Sequence, residues 1–180
     1  MKHLVQSTLT ILLLCVSLLL HADELMINAG GGKQYGASQH NRTFGLDYSF
    51  YRMVRSHRQH LLLGLSFTSM STDAFGSKTI SAISLYPQLN LYSKRQSWGQ
   101  PFFFVRALGP SYISSNQLGT RKQKNNFAFQ AQVGVGAYLN YQEKKQGIIM
   151  LSFKHFSNAG IFNVNEGFNF PVVLSVGVKF

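Results

Sequence analysis

The sequence predicts an all-β protein, an eight-stranded antiparallel transmembrane β-barrel, and three observations carry that expectation. Behind an export-type N-terminus the chain falls into alternating runs divided by polar turns, with no amphipathic helix among them. The runs repeat apolar and polar residues with a period of two, the pattern of a strand with one apolar face. Each run is about a dozen residues long, whereas strands of soluble sandwiches are usually about half that. About 9–11 tilted residues cross the hydrocarbon in a membrane barrel.

The N-terminus comes first. Lys2 and His3 lead into the apolar stretch from Leu12 to Leu20, with a cleavage site expected after Ala22. That stretch is short for a transmembrane helix and no stop-transfer flank follows, so residues 1–22 read as a signal peptide and 23–180 as the barrel domain. Leu20, at the −3 position, is larger than such sites prefer. Lipid attachment at Cys15 is disfavoured by Leu13 and Leu14, where such processing uses small residues. Taking 22 from 180 residues leaves 158 without a cysteine, which excludes a disulfide scaffold and thiol chemistry in the exported chain.

The exported chain holds sixteen Lys and Arg (the 17 less Lys2) against six Asp and Glu, a net charge of +10. An exported protein meets little nucleic acid and no nucleic-acid motif is present, so anionic lipid headgroups are the natural partner of that charge. Many of these basic residues belong to solvated turns.

Eight strands follow in order. Glu24–Tyr35 opens the barrel, and Arg42–Val54 carries an aromatic group at Tyr48, Phe50 and Tyr51. Gln59–Met70 and Lys78–Ser93 come next, then Pro101–Ser114 with Phe102, Phe103 and Phe104. Asn126–Asn140 is the clearest: Phe127, Phe129, Ala131, Val133, Val135, Ala137 and Leu139 share one face, opposite Gln130, Gln132, Gly134 and Gly136. Gln146–Asn158 places Ile149, Leu151, Phe153, His155 and Ser157 on one face, while Ile148, Met150 and Phe156 make the other partly apolar as well. Phe168–Phe180 alternates Phe170, Val172, Leu174, Val176, Val178 and Phe180 with Pro171, Val173, Ser175, Gly177 and Lys179.

An even strand number suits a barrel whose termini share one side, and closure leaves no unpaired edge. The polar and glycine faces then line a small interior. Aromatic residues near strand ends suit interfacial girdles, and a terminal phenylalanine on an alternating strand resembles the C-terminal signature of bacterial outer-membrane barrels. With both termini periplasmic, Gly36–Asn41, Ser71–Ser77, Asn116–Asn125 and Ala159–Gly167 are extracellular. Arg55–Arg58, Lys94–Gly99 and Gln142–Lys145 are periplasmic. The loop Asn116–Asn125 carries Arg121, Lys122 and Lys124, and reads equally well as a clamp for lipid phosphates or as a solvated loop.

The chemistry centres on His155 and Ser157. Two residues apart on a strand they project to the same side, within reach of the hydrogen bond by which a histidine takes a proton from an attacking serine. Sharing a face with apolar side chains, such a nucleophile suits a lipid substrate. Which face meets lipid is not decided by this strand alone.

The segment His155-Phe156-Ser157-Asn158-Ala159-Gly160-Ile161, followed by Asn165 and Gly167, resembles the lipid A 3-O-deacylases of the PagL type, closely over the last two strands and as architecture elsewhere. The resemblance implies a barrel of the bacterial outer membrane that hydrolyses the 3-position ester of lipid A in the outer leaflet. It implies Ser157 as nucleophile and His155 as base, and puts oxyanion stabilisation among Asn158, Ala159, Gly160 and Asn165. No cofactor is implied. His3, His21, His40, His57, His60 and His155 show no metal-ligand spacing.

One position departs from the family. Where its best-known members carry the glutamate of a Ser-His-Glu triad, this chain has Asn169, and the nearby carboxylate is Glu166. An amide oxygen orients an imidazole without balancing its charge, and the comparable Asp-to-Asn change in a serine protease costs about 10⁴ in rate. Asn169 orienting His155, Glu166 swinging in, and an inactive barrel all remain open; the intact motif before that point favours the first two. A non-catalytic barrel with a structural or adhesive role is the main competitor. A soluble lipid-binding barrel of lipocalin type would need its apolar faces turned inward.

Overall fold

The computed structural model describes residues 23–76, 78–142 and 145–180. The signal peptide expected over 1–22, with Cys15 and the cleavage site after Ala22, lies outside the described residues, as do Ser77 and the tip of the turn expected over Gln142–Lys145.

Eight long strands close into one antiparallel barrel: β1 (Glu24–Lys33), β2 (His40–Ser56), β3 (Gln59–Thr72), β4 (Thr79–Tyr92), β5 (Gly99–Ile113), β8 (Phe127–Gln142), β9 (Lys145–Ser157) and β10 (Phe168–Lys179). Chain neighbours pair throughout, and β10 returns to β1, with Glu24 opposite Lys179 and Ala29 opposite Leu174. The long connection after β5 is not plain loop: β6 (Gln117–Leu118) and β7 (Arg121–Lys122) form a small hairpin at the end of the barrel that carries the Ser157 end of β9. Two-residue strands are too short to leave a periodic signal. β1 stops at Lys33 rather than Tyr35, because Gln34 turns inward to make the contacts described below.

The outer wall is apolar. Leu46, Phe67, Ile83, Val135, Leu151, Leu174 and Val176 all point away from the barrel. The interior is packed with polar side chains. Arg106 donates to Asp47 Oδ2 at 2.8 Å and to Gln88 Oε1, and its guanidinium lies 3.5 Å from the Tyr86 ring centroid. Arg106 and Asp47 are both fully buried, so each is left as an uncompensated buried charge if the other is removed. Lys154 Nζ donates to Asn28 Oδ1 at 3.1 Å. Above this layer Met70, Ile80, Ile113, Leu118, Phe156, Phe168 and Phe170 plug the end nearest Ser157.

This division settles the orientation of β9. Ser152, Lys154 and Phe156 point inward, while Ile149, Leu151 and Phe153 are 41%, 51% and 39% exposed on the outer wall. His155 and Ser157 continue that outer row.

Candidate active site

His155 sits near the top of β9 and is directly opposite Asn169 of β10 in the β9–β10 register. Facing pairs on adjacent strands bring their side chains into contact, and His155 Nδ1 and Asn169 Oδ1 are 2.6 Å apart. With the amide oxygen accepting, Nδ1 carries the hydrogen and Nε2 is left as the basic nitrogen. The Phe153 ring stacks on the imidazole from below, 6.3 Å between centroids and 15° between planes. Gly167 closes its other side: a Cβ there would lie 2.2 Å from His155 Cε1. The imidazole is thus fixed by an amide, an aromatic ring and a bare stretch of backbone.

Ser157 is the last residue of β9, where the chain leaves the ladder. The turn that follows is left-handed, with φ 55° at Ala159 and 77° at Gly160. Left-handed backbone costs a residue with a Cβ about 1–2 kcal/mol, so the surroundings must hold Ala159 in place. Asn158 does much of this. Fully buried, it accepts the Gly160 N–H at 3.0 Å through Oδ1 and donates through Nδ2 to Val164 O at 2.7 Å. Asn165 Oδ1 in turn accepts the Asn158 N–H at 3.0 Å.

Three residues expected around the oxyanion therefore brace the loop: the Asn158 amide, the Gly160 N–H and Asn165 Oδ1 all have partners within it. The backbone N–H directed at Ser157 Oγ is that of Ala159, at 3.4 Å.

Glu166 is engaged elsewhere. Its carboxylate accepts the Lys122 N–H at 2.8 Å and its own N–H donates to Lys122 O at 3.0 Å. A bridge between Gln123 and Asn165, and the Lys124 N–H donating to Val164 O, fasten the same loop to the β6–β7 region. Of the two candidate partners for His155, the one in contact with it is Asn169.

The residues that hold Asn169 carry no signal in the local sequence. Gln34 is fully buried; its Oε1 accepts the Asn169 N–H at 2.9 Å and its Nε2 donates to Gly167 O at 3.1 Å. Asn41 Nδ2 donates to Gln34 Oε1 at 2.6 Å and to Asn169 O at 3.2 Å. Gln39 links Asn41 to the hairpin, donating to Asn41 Oδ1 and Leu118 O and accepting from Thr120. These partners lie up to 135 residues apart, and no local spacing marks them.

Fold and site together define a closed β-barrel with a serine and an amide-oriented histidine on its apolar outer wall. The chain belongs to the lipid A 3-O-deacylase (PagL) family, whose model matches residues 42–179; the family is one of ester hydrolases. The solved structure of the outer membrane enzyme PagL is similar in fold, with a TM-score of 0.62 and 16% identity, over 87% of this chain and 99% of that one. No curated protein sequence matches.

Proposed function

We propose that this protein is a serine esterase of the bacterial outer membrane that removes a 3-O-linked acyl chain from lipid A. The observation that carries the reading is the outward placement of His155 and Ser157 above Phe153, Leu151 and Ile149, with Nδ1 of His155 held by Asn169. A serine there meets an ester in a lipid without the substrate entering the barrel. The family and the apolar wall support an outer-membrane location, reached through a signal peptide over residues 1–22.

In this mechanism His155 Nε2 takes the Ser157 proton as Oγ attacks the ester carbonyl. The new C–O bond leaves a tetrahedral oxyanion, for which the Ala159 N–H is the nearest donor and the Gly160 N–H a second if the turn relaxes. One such donor is typically worth about 10²–10³ in rate. The imidazolium then returns its proton to the sugar oxygen, the original C–O bond breaks, and the sugar departs with a hydroxyl. Water, activated by the same nitrogen, hydrolyses the acyl-serine. Asn169 orients the ring throughout; Asn158 and Asn165 shape the loop. Lipopolysaccharide in the outer leaflet is the partner.

The test is mass spectrometry of lipid A from cells expressing the protein or its Ser157→Ala form. Loss of one 3-hydroxyacyl mass, dependent on Ser157 and on His155, is the expected result. Unchanged lipid A with a folded barrel in the outer membrane would favour the non-catalytic reading.

A further inference from the structure

A groove of about 720 Å³ opens on the outer wall beside Asn169, lined by Lys33, Tyr35, Gly36, Phe153 and Pro171 among others. Its shape comes from the backbone. The β9–β10 register shifts between Phe170 and Val173, and this bulge leaves Pro171 on the outer side. Gly32, at φ 138°, lies against the Pro171 ring, where a Cβ would come within 3.3 Å. The end of β1 thus presents bare backbone where other strands present aliphatic side chains.

Two cations border the groove. Lys33 is exposed on its lining. Arg121, from the β6–β7 hairpin, reaches the other edge: a Cβ on Gly36 would lie 3.9 Å from its Nη1. Arg121 Nε is buried without a hydrogen-bond partner, and among the described residues neither Lys33 nor Arg121 is in an ion pair. Glu166, which the loop after β9 brings to the same hairpin, has its carboxylate on the Lys122 N–H. Arg121 therefore keeps a buried donor free for an acceptor, and the two cations make a negatively charged acceptor the natural one.

We propose that this groove binds the phosphorylated sugar on the leaving side of the ester, with Lys33 and Arg121 contacting its phosphate. The inference rests on the esterase reading above. The alcohol accepts its proton from the imidazole, so the sugar lies over His155, and the next surface beyond His155 is Asn169 and the groove. The acyl chain departs the other way, toward Ser157 and Phe129, which faces Ser157 across the β8–β9 ladder. Lys33 ends β1 as Ser157 ends β9, at the same rim of the barrel, so the cations stand at headgroup height rather than among acyl chains.

Binding tests this without turnover. The full-length Ser157→Ala barrel in detergent is titrated with bisphosphorylated lipid A and with the dephosphorylated lipid, with and without Lys33→Ala and Arg121→Ala. The expected result is a preference for the phosphorylated lipid that falls roughly 10-fold or more in the triple variant, the scale of hydrogen bonds to charged groups. Equal affinity for the two lipids, or equal loss on both, overturns the proposal. So does competition by millimolar inorganic phosphate as strong as that by the lipid, which would make this a free-anion site. Turnover by the otherwise unsubstituted barrel is followed in parallel: absence of hydrolysis of either lipid sinks the esterase reading, while the binding preference still decides the groove.

Discussion

His155 Nδ1 and Asn169 Oδ1 meet at 2.6 Å across the β9–β10 ladder, and both backbones are held so that they meet. The contact sets the imidazole tautomer with a neutral partner, so orientation is present while compensation of the imidazolium charge is absent. The two contributions can be measured separately in this chain.

Asn169→Asp keeps the length and the acceptor and adds the charge. It is expected to raise kcat on lipid A by about 10-fold or more, within the roughly 10⁴ span that separates the two residues in a serine protease. Asn169→Leu, which removes the acceptor, should lower kcat with little change in KM. Equal rates for Asn, Asp and Leu at this position would mean that Asn169 does not act on His155.

Gly167→Ala places a methyl where His155 Cε1 now lies, at 2.2 Å. The ring must rotate off Asn169, and misplacement of a catalytic group by about 1 Å costs on the order of 10² in rate. Folding is followed by heat-modifiable mobility in gels. The expected outcome is a folded barrel with little hydrolysis, and full activity would show that the imidazole has room to spare.

Gln34→Ala removes two hydrogen bonds to the start of β10, those to the Asn169 N–H and Gly167 O, and leaves Asn41 Nδ2 with Asn169 O alone. Loss of a buried hydrogen-bond partner typically costs about 1–3 kcal/mol. A fall in kcat is expected, together with a blunted response to Asn169→Asp, because the carboxylate is no longer aimed. If Asn169→Asp gains as much in the Gln34→Ala background, Gln34 is purely structural.

Inside the barrel, Asp47→Ala leaves Arg106 buried with no counter-charge. Breaking such a pair costs about 3–5 kcal/mol, whereas replacing both partners by apolar residues is often neutral. Unfolding in lipid vesicles should show a large loss for Asp47→Ala and a recovery when Arg106→Met is added. Similar losses for the single and double variants would assign the effect to packing.

Much of the barrel was legible because alternation is a local property. Phe127 to Leu139 and Val172 to Phe180 state their faces in consecutive residues, and the observed strands agree with the expected ones to within a few residues. Phe170, expected on the face of Val172, is instead buried in the end plug, because the β9–β10 register shifts between Phe170 and Val173. The β6–β7 hairpin was not legible, since two residues cannot show a period. The site divided the same way. His155, Ser157, Asn158 and Gly160 form one contiguous motif, whereas Gln34 and Asn41 are recruited from the first hairpin by closure of β10 onto β1.

The sequence by itself determined the strands, the pair of side chains two apart on one of them, and the family resemblance in the motif that follows, because each lies within a few consecutive residues. Tertiary structure alone decided that this pair faces outward, since both faces of β9 hold apolar side chains and only barrel closure says which is the wall. It also decided that Asn169 rather than Glu166 touches His155. That outcome depends on the register between β9 and β10 and on the hairpin that holds Glu166, both long-range pairings with no trace in local spacing.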